Sequence, residues 1–496
     1  MAEVQDILHI LKLGKASGCD GISHCMLKNT SKTVCVPLCI LFNMSLNQCQ
    51  FPTLWKKAYV IPLFKKGDKH DCSDYRPVSL LSCVGKVFER VLFKHFYNYM
   101  LANDLFHSSQ SGFRPGHSAV YQLLEMYDSV CKNLNEKKHT CLVFCDVSKA
   151  FDRVWHRGLI HKLEAYGFKN EFLLWLTDYI SNRSQQVLIK DTISDSKPIK
   201  AGVPQGSVLG PLLFLIYIND ISENLDSLTR LFADDTSLAY ASKDISEITA
   251  IINSDLDKLD CWSRKWLVSF NPNKTEFIFV SNTLSGDALK LQFQNTVLSS
   301  SNTHKHLEVT LSSNATWSDH VNNVFDSCSK KINVLRKLKY ILSKSNILKL
   351  YRTFILPILE YASEVWDGCT EYESNRLENL QLEVARIACG LPLFCSKENL
   401  YKESGLEPLA SRRKRKKLVT FYKIHSHLTP SYLSNLLPQN VCSISNYNLR
   451  NQGNYSFPLS RLTSYSISFF PSTIKLWNDL KTDTRENLQY LLSDQR

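Results

Sequence analysis

Two adjacent carboxylates, Asp234 and Asp235, lie between two short apolar runs, 231–233 and 238–240. Such runs around a polar pair are typical of two strands joined by a tight turn, which would place both carboxylates at the tip of a β-hairpin. Two charges a few Å apart repel by roughly 1–4 kcal/mol at effective dielectrics between about 80 and 20, and a divalent cation would relieve this repulsion. Aspartate is also common in turns, so the pair taken alone favours an ordinary solvated turn.

The composition is that of a folded, basic protein. The 496 residues are 44% hydrophobic and 21% charged, with a formal net charge of +12, and the chain is long enough for several subdomains of about 100–200 residues each. The positive charge favours a polyanionic partner, nucleic acid before a membrane surface. The longest apolar stretch, near Val208–Ile218, is too short to span a bilayer, so we expect no membrane insertion.

Sixteen cysteines are scattered without a regular pattern. Several, including Cys141 and Cys145, lie in apolar segments, which is typical of buried free thiols in a reducing compartment. We therefore expect an intracellular protein, nuclear or cytoplasmic. No pair of CxxC units has the spacing of zinc ligands. Because His304 and His306 have no cysteine pair nearby, we interpret both histidines as structural.

Hydrophobic periodicity predicts several helices. They are the amphipathic stretch 86–101, the region 156–180, the apolar run 208–218 and the segment 245–266. Between Ser329 and Arg352, eight basic residues and no acidic ones alternate with apolar residues at helical spacing. This pattern indicates a helical subdomain with a cationic face.

A third carboxylate could complete a metal site. Asp146 ends the apolar run 140–145, whose continuous character is typical of a buried strand. Two-metal phosphoryl-transfer sites hold two cations roughly 3.5–4 Å apart with carboxylates from separate parts of the chain. Asp146 is therefore the best additional ligand beside Asp234 and Asp235, although taken alone it is better explained as a strand-terminating residue.

A series of short segments surrounds these carboxylates along the chain. In order they are 14–21 (GKASGCDG), 51–56 (FPTLWK), 65–68 (KKGD), 74–81 (DYRPVSLL), 112–118 (GFRPGHS), 146–154 (DVSKAFDRV), 202–207 (GVPQGS), 232–235 (FADD) and 271–276 (NPNKTE). With this order and spacing, the chain resembles the reverse transcriptases of non-LTR (LINE-type) retrotransposons from near residue 10 to about residue 390. Each segment alone is a weak signal, whereas the ordered series is very specific.

The resemblance implies an α+β fold of the right-hand polymerase type. Its parts would be fingers, a palm whose antiparallel sheet carries the catalytic aspartates, and a helical thumb. The implied divisions are 1–50 as an N-terminal extension of the fingers, 51–315 as fingers and palm, 316–390 as thumb and 391–496 as a C-terminal accessory region. The role of that last region stays open, with RNA as its candidate ligand.

The resemblance also implies the catalytic chemistry. The chain would be an RNA-directed DNA polymerase whose partners are an RNA template, a DNA primer and deoxynucleoside triphosphates. Asp146 and Asp234 would be the main ligands of two Mg²⁺ ions, with Mn²⁺ as an alternative, and Asp235 would support them. Lys274 matches the position proposed to protonate pyrophosphate, although an ordinary surface lysine explains it equally well.

Four further residues would bind the nucleotide. Phe151 occupies the steric-gate position, where a bulky ring clashes with a ribose 2′-hydroxyl; a plain core phenylalanine is its structural alternative. Gln205 and Gly206 would line the nascent base pair, where a small residue lets the backbone approach. Arg76 would contact the triphosphate as a bidentate donor. Lys65 and Lys66 are candidate helpers, or else part of a solvated basic turn.

The chain departs from the family pattern after the predicted palm. It has Glu308 within HLEV at 306–309, where members usually carry a glycine, and this puts primer binding in doubt. The polymerase motifs begin almost at Met1, so we expect the usual N-terminal endonuclease to be missing. A basic run, 411–417 (SRRKRKK), fits a nuclear import signal, an RNA contact or a solvated helix face.

Three interpretations therefore compete. The favoured one is an active RNA-directed DNA polymerase. The second is a catalytically inactive, nucleic-acid-binding remnant of such an element, which Glu308 and the expected missing endonuclease keep open. The third, a metal-dependent nuclease or a structural basic protein, leaves the ordered series of segments unexplained.

Overall fold

A computed structural model describes residues 1–65, 67–444 and 454–480, together with Arg485. Lys66, a candidate helper in the sequence, lies outside the described residues. The strands are β1 Lys57–Phe64, β2 Tyr75–Leu80, β3 His139–Cys145, β4 Arg183–Ile189, β5 Thr192–Ile193, β6 Lys197–Ile199, β7 Leu228–Phe232, β8 Asp235–Ser242, β9 Glu276–Val280, β10 Gln292–Phe293, β11 Thr296–Val297, β12 Ser299–Ser300, β13 Thr303–His306 and β14 Val309–Ser312.

The helices are also given in chain order. They are α1 Ala2–His9, α2 His24–Asn29, α3 Ser31–Asn47, α4 Cys83–Ala102, α5 Ala119–Asn135, α6 His156–Ala165, α7 Asn170–Ile180, α8 Leu209–Ile218, α9 Ile245–Trp266, α10 Ser318–Leu338, α11 Lys344–Phe354, α12 Leu356–Glu360, α13 Ser363–Trp366, α14 Glu371–Cys389, α15 Lys397–Ser404, α16 Leu409–His425, α17 Ser431–Ser434, α18 Val441–Ile444, α19 Thr463–Ser466 and α20 Phe469–Asn478. The predicted helical region 156–180 is thus two helices, α6 and α7. The described residues contain both helices and strands, which is consistent with the predicted α+β class.

The central sheet has the strand order β12-β9-β3-β8-β7. Its middle strand, β3, is buried from Thr140 to Cys145, as the continuous apolar run predicts. It pairs antiparallel with β8, where Cys145 faces Thr236, and with β9 on its other side. Strands β7 and β8 form the predicted hairpin. Because β3 and β8 are neighbours, this pairing brings Asp146 to the same sheet edge as the hairpin tip.

A second sheet and a helical layer form the N-terminal half of the described chain. The sheet has the order β2-β1-β4-β5, with β6 also paired to β4. Its neighbouring core joins side chains of α1, α3, α4 and α6–α8. Helix α8 is apolar on all sides, and nearly every one of its residues is buried, as expected for a helix without a polar face. Residues 1–50 therefore share one hydrophobic core with the helices that follow β2.

The helices after the central sheet share another core. It includes α5, two central strands, the helices from α10 to α16 and the C-terminal α20. Ser468 donates a hydrogen bond to the buried Asp128 of α5 at 2.8 Å, and Asn135 of α5 donates to the carbonyl of Leu459 at 3.0 Å. The described part of 391–496 is therefore packed against α5. The boundaries predicted at 50, 315 and 390 stay predictions.

The basic run lies in α16, and most of its cations have partners within the protein. The Arg412 guanidinium pairs with Glu360, Nη2 to Oε2 at 3.0 Å. Arg413 and Lys417 are both buried, and both pair with Asp367, at 2.9 and 3.1 Å. A fully solvated helix face is therefore wrong for Arg413 and Lys417, whose acidic partner lies far away in the sequence.

The structure bears on two expectations from the sequence, one about the state of the cysteines and one about membrane-spanning segments. The fifteen cysteines whose side chains the structure describes are all free thiols, several of them buried. None of the helices in the described ranges is long and apolar enough to cross a lipid bilayer. The intracellular location stays a prediction.

Replacing the shared carboxylate of α16 should destabilise the protein. Asp367→Ala leaves the buried Arg413 and Lys417 without an anionic partner, and breaking a buried ion pair in this way typically costs about 3–5 kcal/mol. Chemical denaturation followed by circular dichroism measures the change. As a matched control in the same run, exposed Lys414→Ala should change stability by less than about 0.5 kcal/mol. Equal stability of Asp367→Ala and wild type would contradict this account of the basic run.

Candidate active site

The hairpin tip consists of a two-residue turn, Ala233 and Asp234, between Phe232 and Asp235, which face each other in the ladder. Ala233 has a left-handed backbone conformation with φ of 57°. The carboxylates of Asp234 and Asp235 are therefore adjacent at the end of β7 and at the start of β8. This is the strand–turn–strand arrangement that the apolar runs predict.

A second segment, 109–112, lies along β7 and supports the turn; we call it the bracing segment. The N–H of Ser111 donates a hydrogen bond to the carbonyl of Leu231 at 2.8 Å, and the carbonyl of Ser109 accepts one from the N–H of Leu231 at 2.9 Å. The side-chain oxygen of Gln110 accepts from the Ala233 N–H at 3.1 Å. A Cβ at Gly112 would lie 2.2 Å from the nitrogen of Ala233, so only glycine permits this approach.

Asp146 is fixed from the other side by the chain that precedes β9. Its carbonyl accepts a hydrogen bond from the N–H of Asn271 at 2.8 Å, and the N–H of Ser148 donates to Ser269 at 2.8 Å. Asp146 is half-buried, whereas Asp234 and Asp235 are exposed. Three carboxylates from two neighbouring strands thus meet at one edge of the central sheet.

Both hairpin carboxylates have raised pKa values. For Asp234 the main cause is burial, to which the charge of Asp146 adds, while Arg76 and Lys65 oppose the shift. For Asp235, burial followed by the charges of Asp234 and Asp146 raises the pKa to about 6. Both side chains still reach solvent, so surrounding protein removes only part of their water. The site therefore holds more negative charge than its own surroundings stabilise.

The donor set fits a hard divalent cation. All three side chains offer carboxylate oxygens, and Mg²⁺ is usually bound by one or two carboxylates together with substrate phosphates. No three His, Cys, Asp or Glu side chains in the described ranges are close enough together to form a ready-made cage.

The loop 202–207 is tied to β2. The N–H of Ser79 donates to the Gln205 carbonyl at 2.9 Å, and the Gln205 amide donates to Asp152 at 2.8 Å. Gly206 has φ of 115°, and a Cβ there would lie 2.6 Å from the Ser79 carbonyl oxygen. A glycine is required at this position by both the backbone conformation and the close approach.

The Phe151 ring is held by two other rings. It stacks on Phe214 of α8 with 4.4 Å between centroids, and it meets the edge of Phe113 at 6.1 Å. Phe151 is half-buried, so part of the ring reaches the surface. The structure brings it next to the bracing segment, consistent with either a core residue or a gate.

The remaining predicted cations are exposed. Lys274 ends a single turn of 3₁₀ helix, Pro272–Lys274, and lines a cavity of about 720 Å³ together with Asp146 and Asp235. Arg76 lies on β2 opposite Leu63, and its charge acts on Asp234. Lys274 thus approaches the carboxylates from the 3₁₀ turn before β9, and Arg76 approaches them from the second sheet.

The hairpin β13–β14 contributes residues to the same cavity, among them Glu308, at which the sequence departs from the family pattern. Its two-residue turn is Leu307 and Glu308, with φ of 46° and 67°, which is a conformation that glycine adopts more readily. Glu308 pairs with Lys305 at 2.5 Å, and its charge adds to the causes that raise the pKa of Asp235. In the sequence, the sign of this difference is that HLEV at 306–309 lacks the glycine usual in the family. In the structure, the result is a fourth carboxylate in the cavity.

The two histidines of this hairpin are structural, as the sequence indicates. His304 stacks on Phe144 with 4.1 Å between centroids, and its Nδ1 lies 2.9 Å from Glu276. His306 is buried, and burial lowers its pKa to about 3. Both rings pack against the central sheet beside the carboxylates.

Carboxylates at a sheet edge, with arginine and lysine near them and a glycine loop beside them, are the groups that phosphoryl-transfer sites use. Residues 64–322 match the family model for "Reverse transcriptase (RNA-dependent DNA polymerase)". The match covers more than half of the chain, and the chain belongs to this family. Members of the family generally use divalent metal ions and act on nucleic acid and nucleotides.

Curated relatives agree with this membership. The chain is 28% identical over 429 residues to "Probable RNA-directed DNA polymerase from transposon BS" of Drosophila melanogaster, covering 83% of this chain and 47% of that protein. It is 30% identical over 407 residues to "RNA-directed DNA polymerase from mobile element jockey" of Drosophila funebris, covering 79% and 44%. The predicted likeness to non-LTR retrotransposon enzymes is confirmed. The chain spans about half the length of these relatives.

Asp235→Asn should stabilise the fold at neutral pH. The pKa of Asp235 is raised from 3.8 to about 6, so the folded state binds this proton more tightly than the unfolded chain. Stability therefore falls as the pH rises between about 4 and about 6, and asparagine removes this loss. We expect the thermal midpoint of Asp235→Asn to exceed that of wild type at pH 7.5 and to equal it near pH 3.5.

Asp195→Asn provides the control, because Asp195 is an exposed carboxylate between β5 and β6. Its midpoint should follow wild type at both pH values. A stabilisation by Asp235→Asn that is the same at pH 3.5 and at pH 7.5 would contradict the charge-based explanation.

Proposed function

We propose that this chain is an RNA-directed DNA polymerase that extends a DNA primer on an RNA template. The observation that carries the proposal is the meeting of Asp146, Asp234 and Asp235 at one sheet edge, two of them with raised pKa values. Two Mg²⁺ ions, with Mn²⁺ as an alternative, would activate the primer 3′-hydroxyl and stabilise the leaving pyrophosphate. Asp146 and Asp234 would hold them, with Asp235 in support.

The chain's own cations would bind the triphosphate. Arg76 and Lys65 already oppose the negative charge of Asp234, so both are close enough to act on a polyphosphate placed beside it. The Arg76 guanidinium can donate to two phosphate oxygens at once. Lys274, exposed in the cavity beside Asp146, is the candidate proton donor to pyrophosphate.

The sugar and the base would be selected by two rigid features. Phe151, fixed between Phe214 and Phe113, would exclude a ribose 2′-hydroxyl. Gly206 leaves the surface beside Ser79 free of a side chain, and the hydrogen bond from Gln205 to Asp152 fixes that loop. Together they would form the wall against which the nascent base pair is placed.

We assign the second sheet to the fingers, the central sheet to the palm and the helices from α10 to the thumb. Helices α10 and α11 support the last assignment because their cations are exposed. Those whose side chains form no hydrogen bond or ion pair within the described residues, and no contact with an aromatic ring there, are Lys330, Lys331, Lys337, Lys349 and Arg352. Such a surface would follow the template–primer backbone without sequence preference and with a strong dependence on salt.

One observation favours the inactive, nucleic-acid-binding remnant as a second candidate. Glu308 adds a negative charge to the cavity where the primer end would lie, and a carboxylate there repels a phosphodiester. Its pairing with Lys305 neutralises part of that charge. The intact set Asp146, Asp234 and Asp235 favours the active enzyme over the remnant.

Primer extension separates the two candidates. With Mg²⁺ and deoxynucleoside triphosphates, wild type should extend a DNA primer annealed to RNA, and Asp234→Ala should lower incorporation by about 10²–10⁴-fold. Losing several kcal/mol of charge stabilisation has this effect, at 1.36 kcal/mol per factor of ten. Template–primer affinity, measured by fluorescence anisotropy, should change little.

Asp195→Ala is the matched control and should retain wild-type incorporation. Salt-sensitive binding without incorporation by folded wild-type protein would overturn the polymerase proposal and support the remnant. Equal loss of binding and incorporation in Asp234→Ala would make the role of Asp234 structural.

Phe151→Ala should relax the choice of sugar. Without the ring, a ribonucleotide no longer meets a steric barrier, so the ratio of ribonucleotide to deoxynucleotide incorporation should rise by about 10-fold or more, since each 1.36 kcal/mol removed from a barrier is tenfold. Competition assays on one RNA template measure this ratio. Phe151→Tyr keeps the bulk and should keep the selectivity. Unchanged selectivity in an active, folded Phe151→Ala protein would leave Phe151 as a core residue only.

A further inference from the structure

A tyrosine from the C-terminal region contacts the residues that support the catalytic hairpin. Tyr432 lies in α17, half-buried, next to Leu433, which is fully buried in the core shared with α5. We propose that Tyr432 is a positioning residue that holds the carboxylates of the hairpin in place. The inference rests on the proposed polymerase function and gives the region 391–496 a defined part in it.

The first contact passes through the bracing segment. The Tyr432 hydroxyl lies 3.4 Å from Ser111 Oγ, and the N–H of Ser111 donates to the Leu231 carbonyl at 2.8 Å. Burial raises the pKa of the Tyr432 phenol to about 12, so the hydroxyl is neutral and can donate or accept here. A shift of Tyr432 therefore acts on β7 three residues before Asp234.

The second contact is a cation against the aromatic ring. The guanidinium of Arg230, on β7, lies 4.7 Å from the ring centroid of Tyr432. The same guanidinium donates two hydrogen bonds to Glu125 of α5, and both side chains are at most 10% exposed. Cation–π contacts are strongest where water is excluded. Tyr432 thus covers a buried ion pair on the strand that leads to Asp234.

These contacts converge on one strand from two directions. Ser111 bonds the backbone of β7, whereas Arg230 is a side chain of β7 itself, and Tyr432 contacts both residues. A reacting group misplaced by about 1 Å can lower a rate by about 100-fold. Removing the ring should therefore let the hairpin carboxylates move relative to Asp146 and weaken the geometry they share.

Variants of the full-length chain test this inference. Tyr432→Ala should lower kcat for incorporation about tenfold and raise the Mg²⁺ concentration at half-maximal rate, with the Kd for template–primer unchanged. Independently of activity, hydrogen exchange at the amides of 228–236 should become faster. Tyr432→Phe keeps the ring over Arg230 and should show a smaller change in the same direction.

Phe457→Ala, an exposed ring of the same region, is the matched control and should behave as wild type. If Tyr432→Ala does not fold, Ser111→Ala keeps the ring over Arg230, removes the contact of the Ser111 hydroxyl with Tyr432 together with its contact to His117 Nδ1 at 3.3 Å, and should still accelerate exchange at 228–236. Unchanged exchange there in folded Tyr432→Ala, or in Ser111→Ala, overturns the positioning role. An inactive wild type would overturn the proposed function, while the exchange measurement would still decide the role of Tyr432.

Discussion

The antiparallel pairing of β3 with β8 is the interaction on which the rest of the site depends. Its register places Cys145 opposite Thr236, so the next residues outward, Asp146 and Asp235, leave the sheet side by side. A slip of one residue would turn every side chain of β3 to the other face. Alternate side chains of β3 lie in two different cores, Leu142 and Phe144 in one and Val143 and Cys145 in the other. A slip would exchange these environments, so packing helps to fix the register that positions the carboxylates.

That packing creates an electrostatic problem at the sheet edge. Burial and mutual repulsion raise the pKa values of Asp234 and Asp235, and the opposing cations Arg76 and Lys65 come from the other sheet. Glu308 adds charge of the wrong sign from a left-handed turn. The fold therefore maintains a local excess of negative charge that a bound cation would relieve, as is typical of functional sites that trade stability for activity.

The sequence predicted what depends on local pattern. The two apolar runs that flank Asp234 and Asp235 correspond to β7 and β8, and the apolar run before Asp146 corresponds to β3. The helical periodicity of 245–266 corresponds to α9. It did not predict features that depend on distant partners. The sequence left the basic run open between an import signal, an RNA contact and a solvated helix face, and it did not predict that Arg413 and Lys417 pair with Asp367. No local pattern marks Tyr432, because the role proposed for it depends on its contacts with Arg230 and Ser111, which lie far earlier in the chain.

Helix α5 explains how such distant parts can act together. Along this one helix, Glu125 pairs with Arg230 of β7, and Asp128 accepts a hydrogen bond from Ser468. Further along, the Asn135 side chain forms hydrogen bonds with the backbone at 459–462. The hairpin and the C-terminal region are therefore attached to a single buried element. Since close-packed interiors transmit displacements, a change in the described part of 391–480 can reach the hairpin through the contacts of α5.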